Sequence, residues 1–125
     1  MKAKLQSLWT LEIETPRQWE SCGVILFHLR RVFGDFYEEG RIFGGDRDHG
    51  IMGSYRIENL LLDADLRVQR YAPTSGYPLG NDAAIDLTLS TSLEGQLERD
   101  VVRLDGRVGH DAPARFRLIR RADLV

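Results

Sequence analysis

Leu62-Asp63-Ala64-Asp65-Leu66-Arg67-Val68-Gln69 alternates apolar and polar residues without a break. Successive side chains of a β-strand point to opposite faces, so Leu62, Ala64, Leu66 and Val68 share a core-facing side and the other four meet water. A strand buried on both faces of a parallel sheet would be apolar throughout. The stretch predicts an antiparallel strand with one wet face.

The same period of two recurs on either side. Trp9, Leu11 and Ile13 alternate with Thr10, Glu12 and Glu14. Ile85, Leu87 and Leu89 alternate with Asp86, Thr88 and Ser90, and Phe116 and Leu118 with Arg115 and Arg117. Turn-forming residues lie between such runs, at Gly44-Gly45, Glu58-Asn59, 73–80, 98–100 and 109–113. The reading is seven or eight strands, over residues 8–14, 24–32, 41–43, 53–57, 61–71, 83–97, 101–108 and 114–120. Eight single-faced strands close into a small barrel and leave no sticky sheet edge. The expected fold is therefore all-β, a single eight-stranded antiparallel barrel over residues 1–125, with a two-sheet sandwich as the alternative.

One region departs from alternation. Residues 24–33 are apolar nearly throughout, with His28, Arg30 and Arg31 near the end. Thr15-Pro16-Arg17-Gln18 just before them has the features of a helix start: a Thr cap, Pro at the first position and Gln soon after. A short helical turn is expected over 16–21, ended by Gly23 and followed by a strand. A helix continuing to Arg31 is the alternative.

Size and charge exclude several classes. A chain of 125 residues is one domain at about 100–200 residues each. The single cysteine, Cys22, excludes an internal disulfide framework and any Cys-rich zinc module. No apolar run is long enough for a membrane-spanning helix. Residues 1–14 lack the apolar core of a signal peptide, so the expected location is cytoplasmic. A net charge of -2 is not that of a dedicated nucleic-acid binder. Seven of the 15 arginines fall between Arg99 and Arg121 and read as the solvated face of strands.

No catalytic constellation stands out. His28, His49 and His110 lack metal-ligand spacing, and His49 and His110 fall in expected turns, where a solvated ring is the default. Cys22 has only His28 nearby to generate a thiolate. Asp46 and Asp48 begin like a calcium loop, but Gly50 and Ile57 stand where further ligands are required. Gly44, Gly45 and Asp46 are expected to form a structural turn, with Asp46 bonding nearby amides. Asp63 and Asp65 read as a solvated ladder rather than a catalytic acid pair. Neither a nucleotide-binding loop nor a metal or cofactor site is expected.

The order of segments resembles the GrlR family, small β-barrel proteins named for a negative regulator of type III secretion genes. The resemblance runs through Leu8-Trp9-Thr10-Leu11-Glu12, Gly40-Arg41-Ile42-Phe43-Gly44-Gly45-Asp46 and Gly53-Ser54-Tyr55. It continues in Leu66-Arg67-Val68-Gln69-Arg70-Tyr71, Leu87-Thr88-Leu89-Ser90, Leu104-Asp105-Gly106-Arg107-Val108 and the closing Leu118-Ile119-Arg120-Arg121-Ala122-Asp123-Leu124. It implies an up-and-down, lipocalin-like barrel, homodimeric, that catalyses nothing and captures a transcriptional activator through an acidic surface loop. That loop would fall at Glu58 and Asn59, where Glu58 is the one acidic residue of 57–60. The aromatics Phe33, Phe36 and Tyr37 are additions to the family pattern; a dimer contact is the expectation for them, with a plug at the barrel mouth as the alternative.

Two functions follow as expectations. The first is a non-catalytic cytoplasmic regulator or adaptor that binds a protein, such as a transcriptional regulator, without touching nucleic acid or membrane directly. The second is a carrier or sensor of a small apolar molecule. Its lining would be Trp9, Leu11, Ile13, Leu66, Val68, Leu87, Leu89, Phe116 and Leu118.

Overall fold

The structure, a computed structural model, describes residues 5–34, 37–73, 76–96 and 99–123. Eight strands follow one another: β1 Ser7–Glu14, β2 Trp19–Phe33, β3 Tyr37–Gly45, β4 His49–Glu58, β5 Leu61–Arg70, β6 Ala84–Ser92, β7 Val101–Val108 and β8 Ala112–Asp123. Each pairs antiparallel with the next, and β1 pairs with β8, which closes the barrel. The turns after β1, β3, β5 and β7 therefore share one end of the barrel. Those after β2, β4 and β6 share the other.

Alternation places the core. Leu62, Ala64, Leu66 and Val68 are buried, while Asp63, Asp65, Arg67 and Gln69 are exposed. All nine expected interior side chains are buried: Trp9, Leu11, Ile13, Leu66, Val68, Leu87, Leu89, Phe116 and Leu118. They form one apolar cluster with Ile25, Phe27, Ile42, Ile51 and Tyr55. At about 25 cal/mol per Å² of buried apolar surface, this cluster is the main favourable contribution to folding. Trp9 Nε1 donates to the Leu5 carbonyl at 3.0 Å, so its one polar group is satisfied inside the core.

The expected helical turn over 16–21 is absent. Thr15 and Gln18 close a hairpin turn instead: the Thr15 amide donates to the Gln18 carbonyl at 2.9 Å, and the Thr15 hydroxyl donates to it at 2.7 Å. A Thr-Pro pair suits a tight turn as well as a helix cap, and β1 offers the next residues a ladder to join. β2 begins at Trp19 and runs through Arg31, so neither helix reading holds. Gly23 ends nothing. It sits at a bulge where the β1–β2 register shifts between Leu11 and Glu12, with φ 132°.

Two more boundaries differ from the reading. Gly44 and Gly45 belong to β3, and the turn comes one step later, at 46–48. A Cβ on Gly44 would run into the Val24 carbonyl oxygen, so β2 and β3 approach there only because the side chain is missing. β6 stops at Ser92 rather than at 97. By contrast, the turn at Glu58-Asn59 is as expected: Asn59 (φ 52°) and Leu60 (φ 65°) join β4 to β5.

Candidate functional site

Three places outside the plain apolar core gather polar or exposed groups. The first is the barrel end that carries the 46–48 turn. Asp46 Oδ1 accepts the backbone N–H of Asp48 at 2.9 Å and of His49 at 2.8 Å, and lies 2.9 Å from His49 Nδ1. An ionised carboxylate only accepts, so Nδ1 carries the proton. Burial alone would push the Asp46 carboxyl up. The hydrogen bonds from His49 and from the amides outweigh it and hold the carboxyl below its ordinary value.

The structure corrects the reading of His49 as a solvated turn residue. It opens β4, is buried, and stacks on the Tyr77 ring with centroids 3.6 Å apart. The Tyr77 hydroxyl donates to the Cys22 carbonyl at 2.6 Å. Burial, and then the charges of Glu12, Asp46 and Glu20, push the Cys22 thiol up to about 12. A thiol held neutral in this way is no nucleophile at pH 7. The Asp46–His49–Tyr77 chain instead fastens Tyr77 beside the 46–48 turn.

The second place is the interior near the opposite end. Gln6 Nε2, Glu38 Oε1 and Tyr55 OH are buried there; the Gln6 amide lies against the Tyr55 hydroxyl, while Glu38 Oε1 has no hydrogen-bond partner among the described residues. Glu38 occupies an inward position of β3 and is 8% exposed; burial pushes its carboxyl up. Burial and then the Glu38 charge push the Tyr55 hydroxyl up to about 12. The Phe27 ring meets the Tyr55 ring edge-on at 5.1 Å. Among the described residues, no group of three His, Cys, Asp or Glu side chains is placed to hold a metal ion.

The third place is the outer wall of β2, β3 and β4. On a half-buried barrel the outward positions should be polar. Here Leu26, Phe43 and Met52 are neighbours in register across three strands and all point outward. Phe43 is 41% exposed and Met52 58%. The row continues on one side to Leu8, half-buried, and ends on the other at Arg67. Nearer the 46–48 turn, Gly50 leaves room for the ring of Tyr71, which is 71% exposed. Phe43 and Met52 follow Ile42 and Ile51, both buried.

Two charged rows border the apolar one. His28, Arg41, Ser54 and Asp65 are successive register partners, as are Arg31, Glu39, Arg56 and Asp63. Arg31 pairs with Glu39 at 3.7 Å, and Glu39 accepts the Tyr37 hydroxyl at 2.7 Å. Arg56 leans over the Tyr37 ring, 5.7 Å from its centroid, and makes no ion pair with Asp63 beside it. A concavity of ≈ 620 Å³ follows these rows, between Arg30 and Arg41 on one side and Asp63 and Asp65 on the other.

The residues anticipated from sequence are scattered over this map. Glu58 ends β4 and Asn59 opens the tight two-residue turn it makes with Leu60; both are exposed, with one carboxylate between them. Phe33 is exposed and its ring lies 5.4 Å from that of Tyr37; Phe36 lies outside the described residues. Asp46 does bond neighbouring amides, as expected. Phe43 and Met52 were not anticipated. The available signal was the adjacent apolar pairs Ile42-Phe43 and Ile51-Met52, since a strand of period two must turn one member of such a pair outward. Comparison of the chain with family models, with curated proteins and with solved structures finds no match in any of the three.

Proposed function

We propose that the protein is a non-catalytic adaptor or regulator that binds another protein through its β2–β4 wall. The observation that carries this reading is the outward row Leu26–Phe43–Met52, in which Phe43 and Met52 stand exposed on neighbouring strands beside the half-buried Leu26. Contiguous exposed apolar surface on a small domain marks an interaction site. Phe, Met and Arg are also side chains enriched at protein interfaces, and this wall combines them. The neutral Cys22 thiol and the use of His49 as a fastening support a binding role over a chemical one. The resemblance to a family of activator-binding regulators suggests a transcriptional regulator as the partner, though through a different surface from the 58–60 turn.

The test is affinity capture from the native host with the wild-type chain, a Phe43→Asp/Met52→Asp variant and a Glu58→Lys variant, all confirmed as folded by thermal melting. The expected result is a protein retained by wild type and by Glu58→Lys and lost by the wall variant. Equal retention by the wall variant would move the interface elsewhere. Loss by Glu58→Lys alone would place it at the 58–60 turn.

A further inference from the structure

We infer that the segment received by the β2–β4 wall is acidic: a stretch of a partner protein whose carboxylates lie over Arg30, Arg41 and Arg56 and whose apolar side chains lie on Phe43 and Met52. This rests on the protein-binding reading above and adds the chemistry of the partner. The whole chain carries a net charge of -2, so its long-range field does not favour an anion. The local arrangement does. Among the described residues, Arg30 and Arg41 have no carboxylate partner, and Arg56 faces an aromatic ring rather than Asp63. On β3, the carboxylate that stands between these arginines, Glu39, is already engaged by Arg31 and by the Tyr37 hydroxyl.

Arginine on an exposed wall next to apolar surface suits a carboxylate well. Its guanidinium donates two parallel hydrogen bonds to one carboxylate and is weakly hydrated, so it gives up water readily. Asp63 and Asp65 on β5 bound the concavity on its far side. They repel an acidic segment laid over β5 and so direct it over β2, β3 and β4. Charge thus fixes the orientation, and the Phe43–Met52 row supplies the desolvated contact.

Fluorescence anisotropy with three dye-labelled synthetic peptides tests this. The peptides share Leu and Phe at the same spacing and carry Glu, Gln or Lys between them. They are titrated against the full chain, an Arg41→Glu/Arg56→Glu variant and a Phe43→Ser/Met52→Ser variant, each first checked for a cooperative melt. At low salt the Glu peptide should bind the wild type about tenfold more tightly than the Gln peptide, with the gap closing as salt rises. The Arg variant should lose that preference and favour the Lys peptide. The Ser variant should bind none of them. Equal binding of the Glu and Gln peptides to wild type, abolished in the Ser variant, would overturn the acidic inference and leave the protein-binding reading standing. Binding of no peptide at all would remove both. An oligothymidine of matched charge that binds as tightly as the Glu peptide would also overturn it, because the wall would then be reading negative charge alone.

Discussion

The β5–β6 wall and the β2–β4 wall belong to one barrel and obey different rules. On β5 and β6 every inward residue from Leu62 to Val68 and from Ile85 to Leu89 is apolar and the outward residues between them are polar, with Leu61 at the start of β5 as the large exposed apolar exception. Arg67 and Asp86 pair across the two strands at 3.0 Å on the outside. On β3 and β4 the rule fails in both directions. Glu38, Gly40, Gly44 and His49 occupy inward positions, and Phe43 and Met52 point out. A wall that only has to fold can keep strict alternation. A wall that departs from it in both directions is where the proposed contact with a partner falls.

The contrast predicts opposite responses to truncation. Leu66→Ala, on the inner face of the regular wall, should destabilise the barrel by about 2–5 kcal/mol through the lost burial and the cavity left behind. Met52→Ala should change stability by less than about 0.5 kcal/mol, because its side chain is already in water. Chemical denaturation of the two variants decides the matter. A Met52→Ala loss as large as that of Leu66→Ala would mean that the β2–β4 wall is a structural face after all.

Glycines sharpen the comparison within the irregular wall. Gly44→Ala drives a Cβ into the Val24 backbone and should destabilise by about 2–4 kcal/mol. Gly50→Ala meets only the exposed ring of Tyr71, which can swing aside, and should stay within about 0.5 kcal/mol. Paired thermal melts measure both. If the two variants melted alike, the close approach of β2 and β3 at Gly44 would not be what requires glycine there.

The polar groups of the irregular wall should also give it a pH signature that the regular wall lacks. Burial raises the Glu38 carboxyl above its unfolded value, so the stability it contributes is fully present below that unfolded value and is lost as pH rises through the folded one. Asp46 has the opposite sign. Its folded value is lowered, so its contribution is present above the unfolded value and is lost as pH falls through the folded one. Glu38→Gln keeps the shape and removes the charge. It should stabilise the barrel by about 1 kcal/mol at neutral pH and have little effect in acid. An unfolding series from acid to mildly alkaline pH that showed the variant less stable than wild type at neutral pH would mean that the Glu38 carboxylate is paired in solution.

How far the sequence was legible follows the same division. The sequence reads β5 as 61–71 and the strand runs Leu61–Arg70, because every position from Leu62 to Gln69 obeys the alternation. Only 41–43 of β3 was read, and the strand runs Tyr37–Gly45, because Glu38, Gly40 and Gly44 hide the apolar period on its inner face. His49 reads as a turn residue in sequence because the ring that covers it, Tyr77, is 28 residues away and meets it only in the fold. The exposed Phe43–Met52 row escapes a sequence reading for a related reason. Phe43 and Met52 are nine residues apart and become neighbours only through the β3–β4 register.

The turn that joins the two walls offers the finest test. Asn59 and Leu60 both have positive φ, a geometry that favours Asn-Gly, and Leu60 holds φ 65° without being glycine. Its side chain packs against the core, and its carbonyl accepts the Leu93 amide at 2.7 Å. Packing therefore holds a backbone conformation that sterics oppose by roughly 1–2 kcal/mol. Leu60→Ala and Leu60→Gly both remove the packing, and only the glycine also removes the strain. The Gly variant should be the more stable of the pair by about 1 kcal/mol, the reverse of the usual order inside a strand or helix. An Ala variant that melts above the Gly variant would show that the strain is not present in solution. The turn would then adopt another conformation, and the β4–β5 register that sets the irregular wall beside the regular one would be free to shift with it.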